Sequence, residues 1–454
     1  MTVREEARAP GRAERRGPDR SRGFPLLWGA QTVSLLGSQV TLLALPLMAL
    51  TSLHADPLQV GILTACGRAP YLVLGLPSGV LVDRLPKRRL LVACNLLLGT
   101  IMMTVPAAAL AGRAGLVQLY AVATAAGAVT VILDVAYLAF VPTVVDAARL
   151  VKAQSALEFS QSAAMALGPP LAGWLIGRFS APTAVSADAG SFLLAAAVLA
   201  LVAAAPVRGP APGRGVVRQV ADGVRTLAAD RILRSVTLAT GTFMFCYSAY
   251  SAVLLVYLTQ RVGLSAGTIG IAMGIGALGG VAGALAAPAL ARALGLGRVL
   301  MAALAVSAAA AAVAPAVLHP HGAAIAGVFA SQFVLWFGQQ TYNVHQVPVR
   351  YALAPAALHG RINATIRTLV WSLASLGALV GGVGGQWAGT RTTLLLSAAG
   401  GASAILWIAR SPLRHVRAPA LAAAPAAQQS DPAVPEHDGR PAQERPPGGP
   451  PCPT

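Results

Sequence analysis

Acidic residues are scarce in this chain. Only 16 of its 454 residues are Asp or Glu, against 34 Lys and Arg, and no acid lies between Arg231 and Ser430. Charged residues of both signs make up 11% of the chain, whereas hydrophobic residues make up 56% and the mean hydropathy is +0.65. A soluble protein of this length needs more polar surface to cover its cores. The shortage of charge therefore argues against an ordinary soluble protein.

Other absences narrow the class further. Apolar and polar residues do not alternate along the apolar stretches, which excludes barrel strands and leaves helices. The four cysteines are Cys66, Cys94, Cys246 and Cys452. Because they lie singly, they imply neither a disulfide framework nor a metal site. No phosphate-binding loop and no cluster of residues at nucleophile or ligand spacing is present. We therefore expect no enzymatic activity, no cofactor, no metal and no drive by ATP.

Long apolar stretches dominate what is present, and each is long enough to cross a bilayer as a helix. We predict an all-α membrane protein with twelve transmembrane helices. The predicted spans are residues 25–50, 58–82, 88–111, 116–142, 151–178, 183–205, 233–260, 266–290, 297–317, 322–349, 362–387 and 391–410. No small-residue cleavage site follows a short apolar core near the N-terminus, so we expect the first span to be retained.

Positive charge is distributed unevenly between the two sides of this topology. With both termini in the cytoplasm, 29 of the 34 Lys and Arg lie on the cytoplasmic side, four lie in outer loops, and Arg68 lies within a span. This asymmetry predicts the orientation by the positive-inside rule. It also accounts for the net charge of +18 through topology and contact with anionic lipid, without nucleic acid. The composition is typical of GC-rich bacterial genomes, so we expect a multi-pass protein of the bacterial cell membrane.

Composition also divides the chain into segments. Within the linker between the two predicted bundles, Val217, Val220, Val224 and Leu227 recur at helical spacing between arginines, which predicts a helix on the membrane surface. The predicted segments are a cytoplasmic N-terminal tail (1–24), a six-helix bundle (25–206), a cytoplasmic linker (207–232), a second six-helix bundle (233–410) and a disordered cytoplasmic tail (411–454).

The two predicted bundles share a repeated pattern. The stretch GVLVDRLPKRRLL, which begins at Gly79, is weakly similar to the stretch that begins at Gly283, 204 residues later. LGPPLAGW from Leu167 matches LGALVGGV from Leu376, 209 residues later. Both matches join equivalent spans, the second to the eighth and the fifth to the eleventh. The pattern therefore predicts a six-plus-six duplication.

The charged loop between the second and third spans carries a family resemblance. GVLVDRLPKRR resembles the signature loop of the major facilitator superfamily. LVKAQSAL and GPPLAG in the fifth span, DAGSF from Asp188 and GRINAT from Gly360 resemble the subgroup that contains the enterobactin and macrolide exporters. The resemblance extends over residues 25–410. It implies two pseudo-symmetric six-helix bundles around a central cavity that opens alternately to each side, usually driven by protons.

Two positions depart from the family pattern. Ala287 stands where the second half would repeat the signature aspartate. Asp134-Val135-Ala136 stands where the subgroup often has a proline-alanine pair.

We interpret part of the signature loop as a conformational latch. The resemblance places Asp83 against the N-terminal end of the eleventh span, near Gly360 to Asn363, where unpaired N–H groups stabilise a carboxylate. That contact would form only when the cytoplasmic side is closed. Gly79 would allow helices to approach closely. Arg84, Lys87 and Arg88 would contact Asp146 or lipid headgroups, or would serve only as topology signals.

Polar residues on four predicted spans are candidates for a substrate cavity. Along the tenth span, Gln332, Trp336, Gln339 and Asn343 follow steps of four and three, which places them on one helix face. Helix–helix hydrogen bonding is the alternative interpretation of such amides. The resemblance places the first, fourth, seventh and tenth spans around the cavity. The remaining candidates on those spans are Gln31, Ser38, Tyr137, Tyr247 and Tyr250.

Three acids lie within predicted spans. Asp134 and Glu158 lie in the inner part of the membrane, where a desolvated carboxylate could carry the coupling proton. Pairing with a base that holds helices together is the alternative for both. Arg68 and Arg367 are the embedded bases, and we expect Arg68 to pair with an acid. Asp188, near the outer end of the sixth span, favours a structural role.

The leading functional hypothesis is a secondary transporter that exports a small organic compound, such as an antibiotic, siderophore or other secondary metabolite, in exchange for protons. An importer on the same fold is the second hypothesis, because residues in a cavity do not encode direction. A non-transporting membrane sensor or scaffold is the third, and the paired halves argue against it. A neutral or anionic substrate is favoured over a multivalent cation, because the second half offers no carboxylate. We expect the chain to act as a monomer.

Overall fold

Helices make up the architecture. The computed structural model describes residues 23–75, 77–145, 149–202, 229–316, 322–353 and 359–415, together with residues 225 and 227. Within these ranges no strand occurs, and each of the twelve predicted spans coincides with a helix or with a broken helix. The N-terminal tail as far as residue 22, most of the linker and the C-terminal tail beyond residue 415 lie outside the described residues.

The helices fall into two sets in chain order. The first half contains α1 (Gly23–Thr51), α2 (Pro57–Arg68), α3 (Pro70–Leu74), α4 (Pro77–Arg84), α5 (Lys87–Leu110), α6 (Leu116–Val144), α7 (Leu150–Arg178) and α8 (Ala181–Leu201). The second half contains α9 (Arg231–Val256, continued by a π-helical turn at Tyr257–Arg261), α10 (Ala266–Leu294), α11 (Leu296–Ala311), α12 (Gly322–Leu353), α13 (His359–Trp387) and α14 (Thr390–Ala409). The second predicted span is the broken one, formed by α2, α3 and α4.

The length, composition and exposed surface of the helices identify a multi-pass membrane protein. Nine of the described helices are long and apolar enough to cross a membrane, or ten if the bent pair Pro57–Leu74 and Pro77–Arg84 is one span. α7 and α12 have 29 and 32 residues but do not meet this criterion. Large apolar side chains, among them Phe159, Leu201 and Leu396, are exposed on helix surfaces. So much exposed apolar surface suits contact with lipid.

Loop residues begin several helices by capping free backbone N–H groups. Asp56 accepts from the N–H of Gln59, whose side chain accepts in return from the N–H of Asp56. Asp230 accepts from the N–H groups of Ile232 and Leu233 at the start of α9. Each cap satisfies donors that the helix cannot pair internally. These two acids are therefore used in helix initiation.

Basic residues mark one end of the helices. Because successive spans run in opposite directions, Arg84, Arg149 and Arg292 lie at the same end as the start of α1, which we call the basic end. The other end, which we call the opposite end, holds Arg113, Arg178, Arg261 and Arg391. The orientation of these ends in a cell membrane stays a prediction from the positive-inside rule.

Helix packing follows the same plan in both halves. In the first half α1 packs against α7 and α8, and α5 packs against α6 and α8. In the second half α9 packs against α13 and α14, and α11 packs against α12 and α14. Each pairing in one half has its counterpart six spans later in the other. The two halves are therefore pseudo-symmetric six-helix bundles.

The halves meet through glycine-lined contacts toward the opposite end. α2 packs on α13, where a Cβ added at Gly61 would lie 2.6 Å from the Cα of Gly382. α7 packs on α10, where Gly270 lies directly against the backbone of Pro169. Glycine permits such close approach of helix backbones. Residues 57–61 and 169–173 belong to the parts of α2 and α7 nearest the opposite end, so these contacts hold the halves together there.

Alanine substitution at two helical glycines should have opposite effects on stability. A Cβ at Gly377 would collide with the backbone of Phe245, because α13 and α9 touch there, whereas a Cβ at Gly190 would meet no heavy atom within 4 Å. We expect Gly377→Ala to destabilise the protein by about 1–3 kcal/mol. Gly190→Ala should leave stability unchanged or raise it, because alanine favours the helix. Melting of the purified variants in detergent measures both, and equal effects would contradict the close α9–α13 contact.

Candidate functional site

An ion pair joins the two halves near the middle of the helices. The Nη2 atom of Arg367 on α13 lies 2.7 Å from Oδ2 of Asp134 on α6. The hydroxyl of Tyr71 on α3 donates to the same carboxylate oxygen at 2.8 Å. Asp134 therefore accepts from one donor of its own half and from one of the other half. Of the two interpretations of Asp134 from the sequence, pairing with a base is present in this arrangement of the halves.

Two arginines and two aromatic rings form a layered cluster around this ion pair. The rings of Tyr71 and Trp371 stack with centroids 5.3 Å apart and planes 22° apart. The guanidinium of Arg367 lies 5.8 Å from the centroid of Tyr71, and that of Arg68 lies 5.9 Å from the centroid of Trp371. Both distances fall within cation–π range. We call Arg68, Trp371, Tyr71 and Arg367 the charged stack.

A break in the second span and a close helix contact bring Tyr71 of the charged stack to Asp134. Pro70 lacks a backbone N–H and begins the short helix α3 immediately after α2. Gly67 lies against Gly127, so α2 and α6 approach closely one turn before Tyr71. Asp134 follows Gly127 by seven residues, about two turns, and therefore lies on the same face of α6. The result is that Tyr71 and Asp134 face each other.

The ion pair is partly exposed rather than enclosed in a packed core. The side chain of Asp134 is 38% exposed and that of Arg367 is 41% exposed. At 1.5 Å per residue, Asp134 lies about 15 Å from the end of α6 at the basic end. The halves are joined by glycine contacts toward the opposite end. We therefore infer that the exposed sides of the pair face a space between the halves on the basic side, which we call the central space.

Among the described residues, Arg68 lacks the acidic partner that we expected. Its Nη1 atom instead donates a hydrogen bond to the hydroxyl of Ser248 on α9, and its guanidinium lies over Trp371. No carboxylate pairs with it in the part of the chain that the structure describes. The expectation was wrong because a hydroxyl and an aromatic face from the other half occupy positions around the guanidinium. This side chain is half-buried at the junction of α2, α9 and α13.

Glu158 is placed differently from Asp134. Its side chain is exposed and forms no ion pair among the described residues. It precedes Pro169 by eleven residues, about three turns, so it lies on the face of α7 that contacts α10 farther along. Within the described part of the chain, the two acids that the sequence grouped together are thus a paired carboxylate and one without an ion pair. Arg367, the repeat equivalent of Glu158, pairs with Asp134 instead.

The candidates for substrate contact separate into a half-buried set and a buried set. Gln31, Ser38, Tyr247, Trp336 and Asn343 are half-buried, whereas Tyr137, Tyr250, Gln332 and Gln339 are buried. Four of the nine carry a buried polar atom without a hydrogen-bond partner among the described residues. These atoms are Oε1 of Gln31, Gln332 and Gln339 and the hydroxyl of Tyr250. Because buried polar atoms are normally paired, such positions suit contact with water or a ligand.

Tyr250 and Tyr247 line a small cavity within the second half of the protein. Tyr250 lines a small internal cavity between α9, α11, α12 and α14, together with Ser307 and Ser397. Tyr250 therefore faces the interior of the second half. Tyr247 borders the same cavity and packs edge-on against Trp336, with centroids 6.1 Å apart.

The basic-end part of α12 serves helix packing. Tyr342 and Thr240 share a hydrogen bond at 2.9 Å, and the Nη2 atom of Arg350 donates to the Thr240 hydroxyl at 3.2 Å. These bonds join α12 to α9 within one half. Of the two interpretations of the polar face of α12, helix–helix bonding therefore applies to this part.

Asp188 joins two helices of the first half. Its side chain is 1% exposed and accepts hydrogen bonds from the hydroxyls of Thr41 and Ser191. Gly37 makes room for this contact, because an added Cβ there would collide with the carboxylate and with Ser191. The geometry favours the structural role predicted for Asp188, between α1 and α8.

The signature loop is not assembled as a latch in this arrangement of the halves. Asp83 is exposed and has no hydrogen bond or ion pair among the described residues. A Cβ added at Gly79 would meet no heavy atom within 4 Å, so close helix approach does not explain this glycine here. Arg84 is exposed and Lys87 is half-buried. Asp146, the proposed partner of the basic residues, lies outside the described residues.

Arg88 has a specific role that the sequence did not predict. Its guanidinium donates hydrogen bonds to the carbonyl oxygens of Leu199 and Ala200. These carbonyls are among the last of α8, where helix carbonyls lack N–H donors four residues ahead. That of Leu199 also accepts from the N–H of Val202. A cation at a helix C-terminus also interacts favourably with the helix dipole. Arg88 therefore caps α8.

Three residues of the site escaped sequence analysis, namely Tyr71, Ser248 and Trp371. The available signals were weak: Tyr71 follows Pro70 close to the embedded Arg68, and Trp371 follows Arg367 by one helical turn. Ser248 offered no signal, because serines are common within these spans.

The model of the Major Facilitator Superfamily matches residues 27–375. The chain is 28% identical over 178 residues to the uncharacterized MFS-type transporter YfiS of Bacillus subtilis (strain 168). That match covers 39% of this chain and only 42% of the relative.

Solved transporter structures share the fold at low sequence identity. The nucleoside transporter NupG (D323A mutant) superposes with a TM-score of 0.67 at 12% identity, over 86% of this chain and 99% of that one. A bacterial homologue of the iron transporter ferroportin, in an inward-facing state, superposes with a TM-score of 0.66 at 17% identity, with the same coverage. A bacterial homologue of the lysosomal transporter Spinster, also inward-facing, gives 0.63 at 13% identity, over 91% and 99%.

The ion pair between the halves should appear as energetic coupling. Arg367→Gln leaves the Asp134 carboxylate without its cation, and Asp134→Asn leaves Arg367 without its anion, so each should lower the melting temperature. The double variant should lose less than the sum of the two, by about 1 kcal/mol, because both side chains are partly exposed. Melting of the four proteins in detergent measures this coupling. Arg391→Gln, at the exposed opposite end, is the control, and its effect should add to that of Asp134→Asn. If the effects of Arg367→Gln and Asp134→Asn were also additive, the ion pair would be contradicted.

Proposed function

Because the chain belongs to the major facilitator superfamily, and is thus a membrane transporter rather than an enzyme, we propose that it exports a small organic compound in exchange for protons. The compound would be an antibiotic, a siderophore or another secondary metabolite. The observation that carries the proposal is the Asp134–Arg367 ion pair, which joins the halves and faces the central space.

Protonation of Asp134 would change how strongly the halves hold together. The ionised carboxylate attracts Arg367 of the other half, whereas the protonated carboxyl carries no charge for Arg367 to pair with. A proton binds with different free energy in two arrangements if only one of them contains the ion pair. Proton binding and the rearrangement of the halves would thus be coupled, as a secondary transporter requires.

We propose that this arrangement is inward-facing. The close contacts between the halves lie toward the opposite end, and Asp134, Arg367 and Glu158 are exposed. If the basic end is cytoplasmic, as the positive-inside rule indicates, the central space opens to the cytoplasm. The proton on Asp134 would then leave to the cytoplasm, and substrate would enter from the same side.

Asp83 would form its contact in the other state. Its exposure fits an inward-facing arrangement, in which a contact with the start of α13 at the basic end is absent. When the basic end closes, the carboxylate would approach the free N–H groups at that helix start. Such a contact contributes up to about 2 kcal/mol when partly buried. It would favour the outward-facing state by a factor of about thirty.

Export rests on the motifs of the fifth, sixth and eleventh spans that resemble the enterobactin and macrolide exporters. Import is the second candidate, because residues in a cavity do not encode the direction of transport. We also propose that the chain acts as a monomer in the bacterial cell membrane.

Proton coupling should depend on Asp134 and not on Glu158. Proteoliposomes that contain the purified protein should move a responsive compound from a metabolite panel only when a pH difference is imposed. Asp134→Asn should abolish this proton-driven transport yet retain exchange of labelled for unlabelled substrate, since exchange needs no net proton movement. Glu158→Gln is the matched control and should keep the proton-driven rate.

Two results would contradict this assignment. Unchanged dependence on the pH difference in Asp134→Asn would remove the role of that carboxylate. Proton-driven movement in the import direction only, with the basic end shown to be cytoplasmic by labelling of introduced cysteines, would replace export by import.

The latch predicts a separate phenotype for Asp83. Asp83→Asn should be produced and inserted normally, because the side chain is exposed in this arrangement, but should transport more slowly because the closed basic end is less stable. Labelling of a cysteine placed in the central space measures the population of the two states. We expect more labelling from the basic side in Asp83→Asn, and a wild-type transport rate would contradict the latch.

A further inference from the structure

The charged stack carries more positive than negative charge. Two guanidinium groups, those of Arg68 and Arg367, lie on either side of the aromatic pair, and one carboxylate, that of Asp134, pairs with Arg367. The remaining in-span acids are engaged or lie on other helices: Asp188 is buried between α1 and α8, and Glu158 is on α7. With Asp134 ionised, the cluster therefore has one uncompensated positive charge, on Arg68.

Arg68 has unused capacity for hydrogen bonding. Its single hydrogen bond among the described residues goes from Nη1 to the Ser248 hydroxyl, although a guanidinium offers five N–H donors. It is half-buried, so part of it remains accessible, and it sits where α2 of one half meets α9 and α13 of the other. A guanidinium within the membrane without an anion is costly, which makes such a residue a functional-site candidate.

We propose that Arg68 binds a carboxylate of the transported compound, which would make the substrate an organic monoanion. The planar fork of a guanidinium matches a carboxylate in two parallel hydrogen bonds, and one negative charge balances the one uncompensated charge of the cluster. The proposal deepens the proposed function, on which it rests, by stating a substrate class.

The surroundings of Arg68 suit an acid with an aromatic or apolar body. Trp371 lies beneath the guanidinium, and Tyr247, adjacent to Ser248 on α9, packs edge-on against Trp336. Aromatic side chains provide large apolar contact surfaces.

Equilibrium binding without a proton gradient tests the site. The full-length protein in lipid nanodiscs is titrated with benzoate and with the neutral, nearly isosteric benzamide, and its melting temperature is recorded. We expect benzoate to stabilise the wild type and benzamide to have little effect. Arg68→Gln should weaken the response to benzoate roughly tenfold or more. Arg391→Gln is the control for general attraction of anions and should respond like the wild type.

A carboxylate built into the site provides a second test that needs no added ligand. The Ser248 hydroxyl lies within hydrogen-bond distance of Arg68, so an aspartate there would reach the guanidinium. Ser248→Asp should melt at a higher temperature than the isosteric Ser248→Asn and should no longer respond to benzoate. Ser248→Asn should keep the benzoate response, because Arg68 remains unpaired.

Several outcomes would overturn the proposal. They are absence of benzoate binding by the wild type, equal responses to benzoate and benzamide, an unchanged response in Arg68→Gln, and a Ser248→Asp variant no more stable than Ser248→Asn. A stronger response to inorganic phosphate than to benzoate would replace the carboxylate by a phosphate group. None of these measurements uses transport, so failure here is distinct from failure of proton-coupled export.

Discussion

A charged side chain inside a membrane span needs a polar partner, and in this protein such partners decide where several helices meet. Asp188 joins α8 to α1 through the Thr41 hydroxyl, within one half. Asp134 joins α6 to α13 across the halves through Arg367. Water is absent from the hydrocarbon core, so each such contact is preferred over exposure to lipid. The same kind of bond therefore stabilises a bundle in one place and connects two moving parts in another.

The difference between those two roles lies in exposure. Asp188 is enclosed by its partners, so nothing can enter the contact without separating α1 from α8. Asp134 and Arg367 are each exposed by more than a third, on sides that we infer to face the central space. A proton or a solute can reach such a pair while the halves stay in place. Accessibility distinguishes Asp134 from the buried Asp188, and pairing with the other half distinguishes it from the exposed Glu158.

The two copies of the signature loop have diverged in a way that the structure explains. Ala287, at the position that corresponds to Asp83, is fully buried, and its carbonyl oxygen lies 3.0 Å from Nε2 of His345 on α12. That region of the second half is packed within its own bundle. Asp83 is exposed at the basic end and free to meet another helix when the halves move. Any latch is thus formed by one half only.

The sequence alone determined the class of fold and the approximate positions of its spans, because an apolar run long enough to cross a bilayer is a local property that needs no tertiary contact. The break of the second span into α2, α3 and α4 appeared only in the structure. The sequence also identified Asp134, Arg68 and Arg367 as unusual, since charge within a span is visible residue by residue. The partners of these side chains could not be read in the same way. Ser248 lies 180 residues from Arg68, and Arg367 lies 233 residues from Asp134. Only the approach of one half to the other, through backbone contacts at glycines such as Gly61 and Gly382, decided which side chains met across the centre.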